Sequence, residues 1–108
     1  MKRVLTLMLA LLVVSAAYAS DIMAGSWQST TGSVIRIPAG RDNFDLVVTH
    51  SDGKKFLLAA RWLRVGAEFQ FKNEYGKQVR ASLDPRDPNQ VRVETVSTGS
   101  INYWVRVR

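Results

Sequence analysis

The residues with the clearest capacity for chemistry are His50, Ser51 and Asp52, which are adjacent in the chain. A nucleophilic triad needs a histidine base within hydrogen-bond reach of a hydroxyl group, and a carboxylate that orients the imidazole ring. His50 is the only histidine of the 108 residues. Because neighbouring residues of a turn point in different directions, this trio is typical of a turn and not of a triad. We therefore expect no catalytic residues and predict that the protein is not an enzyme.

The composition also disfavours metal and cofactor sites. Zinc takes three or four ligands from histidine, cysteine and carboxylate, and this chain has one histidine and no cysteine. Asp42, Asp45 and Asp52 lie near predicted loops, and these loops can fall at opposite ends of the strands. Carboxylates separated in this way do not share a calcium ion, so a calcium site is disfavoured. Phosphate-binding loops and dinucleotide fingerprints are absent from the sequence. We expect no metal and no cofactor.

The first nineteen residues have the pattern of a secretory signal peptide. Lys2 and Arg3 give a positive start, an apolar run extends from Val4 to Val14, and Ala17 and Ala19 form the small-x-small pattern that precedes cleavage. The run is shorter than the roughly 20 residues that a bilayer span needs, and no later segment resembles one. The sequence predicts cleavage after residue 19, and a periplasmic or secreted protein of residues 20–108 without a transmembrane segment.

The charge balance permits an acidic partner. The chain has 15 Lys and Arg residues against nine Asp and Glu residues, and loss of Lys2 and Arg3 with the signal lowers its formal net charge from +6 to +4. Such a charge serves solubility, or it attracts lipopolysaccharide, a wall polymer or an acidic protein. Binding to nucleic acid is not expected of an exported protein.

Residues 20–108 alternate between apolar and polar side chains in steps of two, which predicts β-strands. Phe44, Leu46 and Val48 alternate with Asp45 and Thr49, and similar runs follow up to the end of the chain. In the last run, the apolar side of the alternation consists of Ile101, Tyr103, Val105 and Val107.

Turn residues separate these runs at seven places, which implies about eight strands. A chain this short buries only one core, so we predict a single all-β domain at residues 20–108. Its expected architecture is a small antiparallel up-and-down meander that forms a closed or partly closed barrel, because closure removes exposed strand edges. A β-sandwich is the alternative.

The opening hairpin resembles that of the avidin family. Gly25-Ser26-Trp27 is followed by Gly32-Ser33 and an apolar run at 34–37, as the family's Gly-x-Trp-x-Asn strand is followed by Gly-Ser before an apolar run. The resemblance implies a barrel, and it implies that Ser33 occupies a position where a hydroxyl contacts biotin. The family's asparagine is Ser29 here, and its tyrosine and threonine pair is missing from the third strand, which disfavours biotin as the ligand.

The chain is also similar to the wider lipocalin group in its Gly-x-Trp first strand and its basic last strand. In that group a basic side chain lies over the indole and closes the barrel. The resemblance implies a cation–π contact of Arg106 or Arg108 with Trp27, worth about 0.5 to 2 kcal/mol. The face of the last strand that carries these arginines and Trp104 either closes the barrel in this way or forms a basic, aromatic strip outside it.

Candidate binding residues fall into two groups. The candidate ligand contacts are Trp27, Ser29, Ser33 and Trp62. Core packing explains Trp62 equally well, although it lies close to two arginines near a predicted loop. The candidate contacts for a partner or a polyanion are Arg61, Arg64, Tyr75, Trp104, Arg106 and Arg108. Tyr75 stands on a turn, where a large aromatic side chain has little core to join, and this favours an exposed contact.

Three functions suit such a chain. The first is an exported small barrel that binds a small molecule at its mouth, near Ser29, Ser33 and Trp62. The second is a module that binds or inhibits a secreted or periplasmic protein. The third is attachment to acidic envelope polymers through Arg61, Arg64, Arg92, Arg106 and Arg108, which requires binding that weakens with salt. We favour a non-enzymatic binding protein, in which the first hairpin is structural and its serines are secondary ligand contacts.

Overall fold

The structure, a computed structural model, describes residues 21–107. Its regular structure over this range is entirely β-strand. The strands are β1 (Gly25–Gln28), β2 (Val34–Ile37), β3 (Phe44–Thr49), β4 (Lys55–Arg64), β5 (Glu68–Lys72), β6 (Gln78–Asp84), β7 (Asp87–Thr95) and β8 (Ser100–Arg106). The signal peptide predicted at residues 1–19 and the contacts expected of Arg108 lie outside the described residues.

Each strand pairs antiparallel with the next one, and the first strand pairs with the last. The sheet closes where Trp27 lies opposite Arg106 and Gln28 lies opposite Val105. The predicted up-and-down meander of eight strands is therefore confirmed as a closed barrel, and the sandwich alternative is wrong. Between residues 21 and 107, no helix is long and apolar enough to cross a membrane.

Alternate residues of the strands fill the barrel, as a period of two requires. Phe69 is fully buried, and its ring centroid lies 5.2 Å from that of Phe44, 5.5 Å from that of Trp62 and 6.4 Å from that of Trp104. The rings form a continuous aromatic cluster in the interior. Around it pack the other buried side chains, which are Met23, Trp27, Ile35, Ile37, Leu46, Val48, Ala60, Phe71, Val79, Ala81, Val91 and Val93.

In β8 the apolar side of the alternation faces outward. Ile101, Tyr103 and Val105 are 43%, 39% and 56% exposed, and Val107, just after the strand, is 44% exposed. Residues directly opposite one another on neighbouring strands share a face. Since Trp27 points into the barrel, Arg106 must point inward too, and so must Trp104, two residues earlier. An apolar stripe is therefore left on the outer surface of β8.

One end of the barrel is closed by Trp27 and Arg106. The guanidinium carbon of Arg106 lies 4.3 Å from the centroid of the Trp27 ring. This is the contact that the lipocalin resemblance implied for Arg106 or Arg108. The indole Nε1 of Trp27 donates a hydrogen bond to the carbonyl oxygen of Met23 at 3.0 Å, and both side chains are fully buried. Of the two interpretations of this face of β8, closure of the barrel is therefore correct.

The guanidinium group of Arg106 also joins two other segments of the chain at this end. It donates hydrogen bonds to the carbonyl oxygens of Ile22 (2.6 Å), Ala24 (3.1 Å) and Pro88 (3.1 Å) and to Oδ1 of Asn89 (3.1 Å). Gly25 passes beside it with a φ of 124°, and a Cβ there would lie 3.5 Å from Nη1. Residues 21–24 are thereby held across this end of the barrel.

Candidate ligand site at the barrel mouth

The other end of the barrel opens into a cavity of about 490 Å³. Three short turns surround it, at residues 29–33, 50–54 and 73–77. Each turn is closed by a backbone hydrogen bond across its base, from Ser29 to Ser33 (2.9 Å), from His50 to Lys54 (2.8 Å) and from Asn73 to Lys77 (2.9 Å). Compact turns of this kind hold the side chains of the mouth on a rigid scaffold.

The floor of the cavity is apolar and continuous with the core. It is formed by Ile35, Val48, Leu58, Phe71, Val79, Val93 and Trp104. The rings of Phe71 and Trp104 lie 6.1 Å apart at an angle of 33°, and each side chain is only 6% exposed. A ligand that reached this floor would remove apolar surface from water, which is the main source of binding free energy in most small-molecule sites.

The rim of the cavity is polar. Its side chains are Ser29, Thr31, Ser33, His50, Ser51, Asp52, Asn73, Glu74, Tyr75, Thr95 and Asn102. The hydroxyl group of Ser29 lies 2.9 Å from that of Thr31 and accepts a hydrogen bond from the backbone N–H of Ser33 at 3.1 Å. Ser29 therefore shapes the first turn as well as lining the cavity. Both serines predicted as ligand contacts are in the cavity wall.

His50 and Glu74 bring two of these turns together. The Nε2 atom of His50 lies 3.2 Å from Oε1 of Glu74, and the histidine ring packs 4.9 Å from the ring of Phe56. Sequence reasoning assigned His50 to a turn and missed this pair. The sequence contains one signal for it, because His50 continues the alternation of Phe44, Leu46 and Val48, whose side chains point into the barrel. The pairing with Glu74 depends on the tertiary structure.

The charge of the cavity is opposite to that of the chain. Two carboxylates, Asp52 and Glu74, line it, and among residues 21–107 no lysine or arginine does. Oδ1 of Asp52 accepts the backbone N–H of Lys54 at 3.0 Å, which fixes the carboxylate on its turn. A net-basic protein thus presents a cavity with a negative rim.

The structure corrects two of the predicted ligand contacts. Trp27 does not line the cavity, because it is buried at the closed end under Arg106. Trp62, on β4, does not line it either, because its ring packs in the barrel interior, with its centroid 5.2 Å from that of Phe44 and 5.5 Å from that of Phe69. Its buried indole N–H has no hydrogen-bond partner within the described part of the chain. Core packing is therefore the correct interpretation of Trp62.

The predicted partner surface is divided among several places. Tyr75 is 76% exposed, as expected of a turn residue, and it stands on the rim of the cavity. Trp104 is buried in the cavity floor and Arg106 is engaged at the closed end, so neither belongs to an outer strip. Arg61 and Arg64 are exposed on β4.

The arginines proposed to bind polymers do not converge on one patch. Arg92 lies on β7, which β5 and β6 separate from the arginines of β4. Its Nη2 atom is 3.6 Å from Oε2 of Glu94. A carboxylate this close offsets part of the attraction that Arg92 would exert on an acidic polymer.

No protein-family model, characterised protein or solved structure matches this chain. An apolar floor, a ring of hydroxyl, amide and carboxylate groups and a rigid wall can hold a small molecule that has one apolar and one polar end.

Proposed function

We propose that this protein is an exported, non-enzymatic binding protein that holds a small amphipathic ligand in the cavity at the barrel mouth. The observation that carries the proposal is the contrast between the two ends of the barrel. At one end the guanidinium of Arg106 covers the indole of Trp27, and the cavity of about 460 Å³ there is lined by Asp21, Ile22, Pro88, Asn89 and Arg106, without any residue of the aromatic core. The other end is open over an apolar floor with a polar rim.

The size and composition of the cavity support binding of a small molecule. Its volume of about 490 Å³ falls within the range of roughly 300 to 1,000 Å³ that is typical of ligand pockets. Such pockets combine apolar walls with a few polar groups that orient the ligand. Here the rim residues Ser33, Thr95 and Asn102 can orient a ligand, in addition to the charged groups.

The non-enzymatic part of the proposal rests on the functional groups at the mouth. The only histidine, His50, directs its Nε2 atom to Glu74 and not to a hydroxyl group. The hydroxyl of Ser29 is engaged with Thr31 and with the backbone of its own turn. Export is proposed from the signal-like residues 1–19, and it implies a barrel in the periplasm or outside the cell.

The proposal is tested with residues 20–108, which contain all eight strands. The probes are 1-octanol, octanoate, biotin, lipopolysaccharide and heparin, each at low and high salt. A ligand at a hundred times its Kd adds about 2.7 kcal/mol of stability, or roughly 10 to 20 °C in Tm for a domain of this size. We expect a salt-resistant increase with an amphipathic small molecule.

A matched pair of variants locates the site. Val93→Phe fills the cavity floor, whereas Val105→Phe makes the same change on the outside of β8. The Tm increase should disappear in Val93→Phe and persist in Val105→Phe. A panel without any increase, or an increase that survives in Val93→Phe, would contradict the proposal. A shift with heparin or lipopolysaccharide that high salt abolishes would favour the acidic polymers instead.

A second candidate function, binding of an envelope protein, is favoured by the outer stripe of β8. Ile101, Tyr103 and Val105 are each at least 39% exposed on one strand, and adjoining exposed apolar side chains often mark protein contacts. A photo-crosslinking residue at Tyr103 should then give a discrete adduct in cells, whereas the same residue at Gln70, on the outside of β5, should not. Equal labelling at both positions would contradict a specific partner.

A further inference from the structure

We propose that the cavity at the barrel mouth selects ligands whose polar end is a cation, such as an alkylammonium group, over ligands that end in an alcohol or a carboxylate. This inference rests on the proposed function, because it names the chemical class of the ligand for the same site. It is carried by the charges of the cavity wall, by the environment of Glu74 and by the aromatic side chains around it.

The charge of the wall departs sharply from that of the chain. Lys and Arg outnumber Asp and Glu by 15 to nine in the sequence. The wall nevertheless includes Asp52 and Glu74, and no lysine or arginine of residues 21–107 contributes to it. Lys54 and Lys77 end two of the turns around the mouth, but neither lines the cavity, where the carboxylates of Asp52 and Glu74 favour positive charge.

Glu74 is the group best placed to meet a cation. Its side chain is only 17% exposed, so solvent screens its charge less than that of an open surface residue. The Oε1 atom lies 3.2 Å from Nε2 of His50, and this contact orients the carboxylate. No hydrogen bond from residues 21–107 reaches its Oε2, which leaves this oxygen to accept from an ammonium group or to neutralise a quaternary one.

Aromatic side chains provide the second component of cation recognition. Tyr75 stands on the rim, and Phe71 and Trp104 form part of the floor beneath it. The faces of aromatic rings attract ammonium groups, and quaternary ammonium ligands are commonly held against several of them. An apolar tail on the floor and a cation between Glu74 and Tyr75 would use both halves of the cavity.

The same arrangement disfavours anions. A ligand carboxylate at the mouth would approach Asp52 and Glu74 without a lysine or arginine of the cavity wall to compensate. Like charges at short distance repel, and burial of an uncompensated charge costs further free energy. Fatty acids and acidic lipid headgroups are therefore expected to be poor ligands, although the protein as a whole is basic.

The test compares three ligands with the same eight-carbon chain, namely octyltrimethylammonium, 1-octanol and octanoate. Affinities for residues 20–108 are measured by calorimetry at low and high salt. The expected order is cation, then alcohol, then carboxylate. We expect a preference of about fivefold to tenfold for the cation over the alcohol, corresponding to about 1 kcal/mol for a partly screened ion pair, and a smaller one at high salt.

Variants identify the carboxylate responsible. Glu74→Gln should bring the affinities of the cation and the alcohol to within about twofold of each other, whereas Glu94→Gln, on the outer face of β7, should leave the preference unchanged. Asp52→Asn is a second variant that keeps the turn acceptor while removing a charge, and it should also reduce the preference.

The outcomes separate this inference from the proposed function. An alcohol that binds as well as the cation would overturn the cation selectivity while the cavity remained a ligand site. A preference that survives in Glu74→Gln would overturn the assignment of the selectivity to Glu74. Failure of all three ligands to bind would overturn both.

Discussion

Replacing Arg106 with lysine should strongly destabilise the barrel, even though the substitution keeps the charge. The guanidinium group donates four hydrogen bonds, to three carbonyl oxygens and to Oδ1 of Asn89, and lies against the ring of Trp27. A lysine ammonium is a compact point charge and cannot reproduce the planar fork that reaches these acceptors. The closed end should therefore lose most of its cross-links.

The magnitude follows from the hydrogen bonds that a lysine cannot make. Removal of three of the four, at about 0.5 to 1.5 kcal/mol net each, gives roughly 2 to 4 kcal/mol. A domain of this size loses about 4 to 8 °C of Tm for each kcal/mol, so the expected decrease is on the order of 10 to 30 °C. Its total stability is about 5 to 15 kcal/mol, so the variant should still fold at low temperature.

The assay is urea denaturation, followed by circular dichroism, of the wild type, Arg106→Lys and Arg92→Lys. Arg92 makes one ion pair on the outside of β7 and is the matched control, with an expected change below about 0.5 kcal/mol. If Arg106→Lys lost less than about 1 kcal/mol, or no more than the control, the assignment of Arg106 as the residue that closes the barrel would be wrong.

Three further predictions concern the tryptophans and the mouth. Trp62→Phe should leave the free energy of unfolding unchanged or raise it, because it removes a buried N–H that has no hydrogen-bond partner in residues 21–107. Trp27→Phe should lower the free energy of unfolding by about 1 to 3 kcal/mol, because it breaks a buried hydrogen bond. The reverse order in denaturant titrations would contradict this assignment. Ser29→Ala should lower the free energy of unfolding by about 1 kcal/mol, because it removes two hydrogen bonds. Ser33→Ala should lower it by less than about 0.5 kcal/mol, because the hydroxyl of Ser33 makes no hydrogen bond among the described residues. Equal losses in the two variants would argue against the geometry of the turn. Tyr75→Ala should leave Tm unchanged, since the side chain is 76% exposed, but should weaken binding of octyltrimethylammonium, and unchanged affinity would exclude Tyr75 from the site.

Most of the fold could be predicted from the sequence because the signals were local. A period of two in each run and a turn between runs are sufficient to define antiparallel neighbours, and a single apolar face requires closure or a second sheet. β8 could not be oriented in this way, because both of its faces carry large apolar or aromatic side chains. Its orientation is set by Trp27, which lies opposite Arg106 on another strand.

The candidate site was only partly predictable, for a similar reason. Ser29 and Ser33 lie in a turn that the sequence identified, and both line the cavity. Trp27 and Trp62 belong to the same inward faces as the cavity residues but lie deeper in the barrel. Alternation indicates which way a side chain points, and it does not indicate how far along the barrel the packed interior ends. The meeting of His50 with Glu74 required the tertiary structure.

A map of ligand contacts by nuclear magnetic resonance would show whether the barrel mouth binds an amphipathic small molecule. Amide chemical shifts of residues 20–108 would be followed during titration with octyltrimethylammonium and, separately, with 1-octanol. We predict saturable changes at the mouth, at Glu74, Thr95 and Asn102, with little change at Ala24 and Asn89 of the closed end. Changes confined to the closed end or to the outer face of β8, or no saturable change with either ligand, would contradict it.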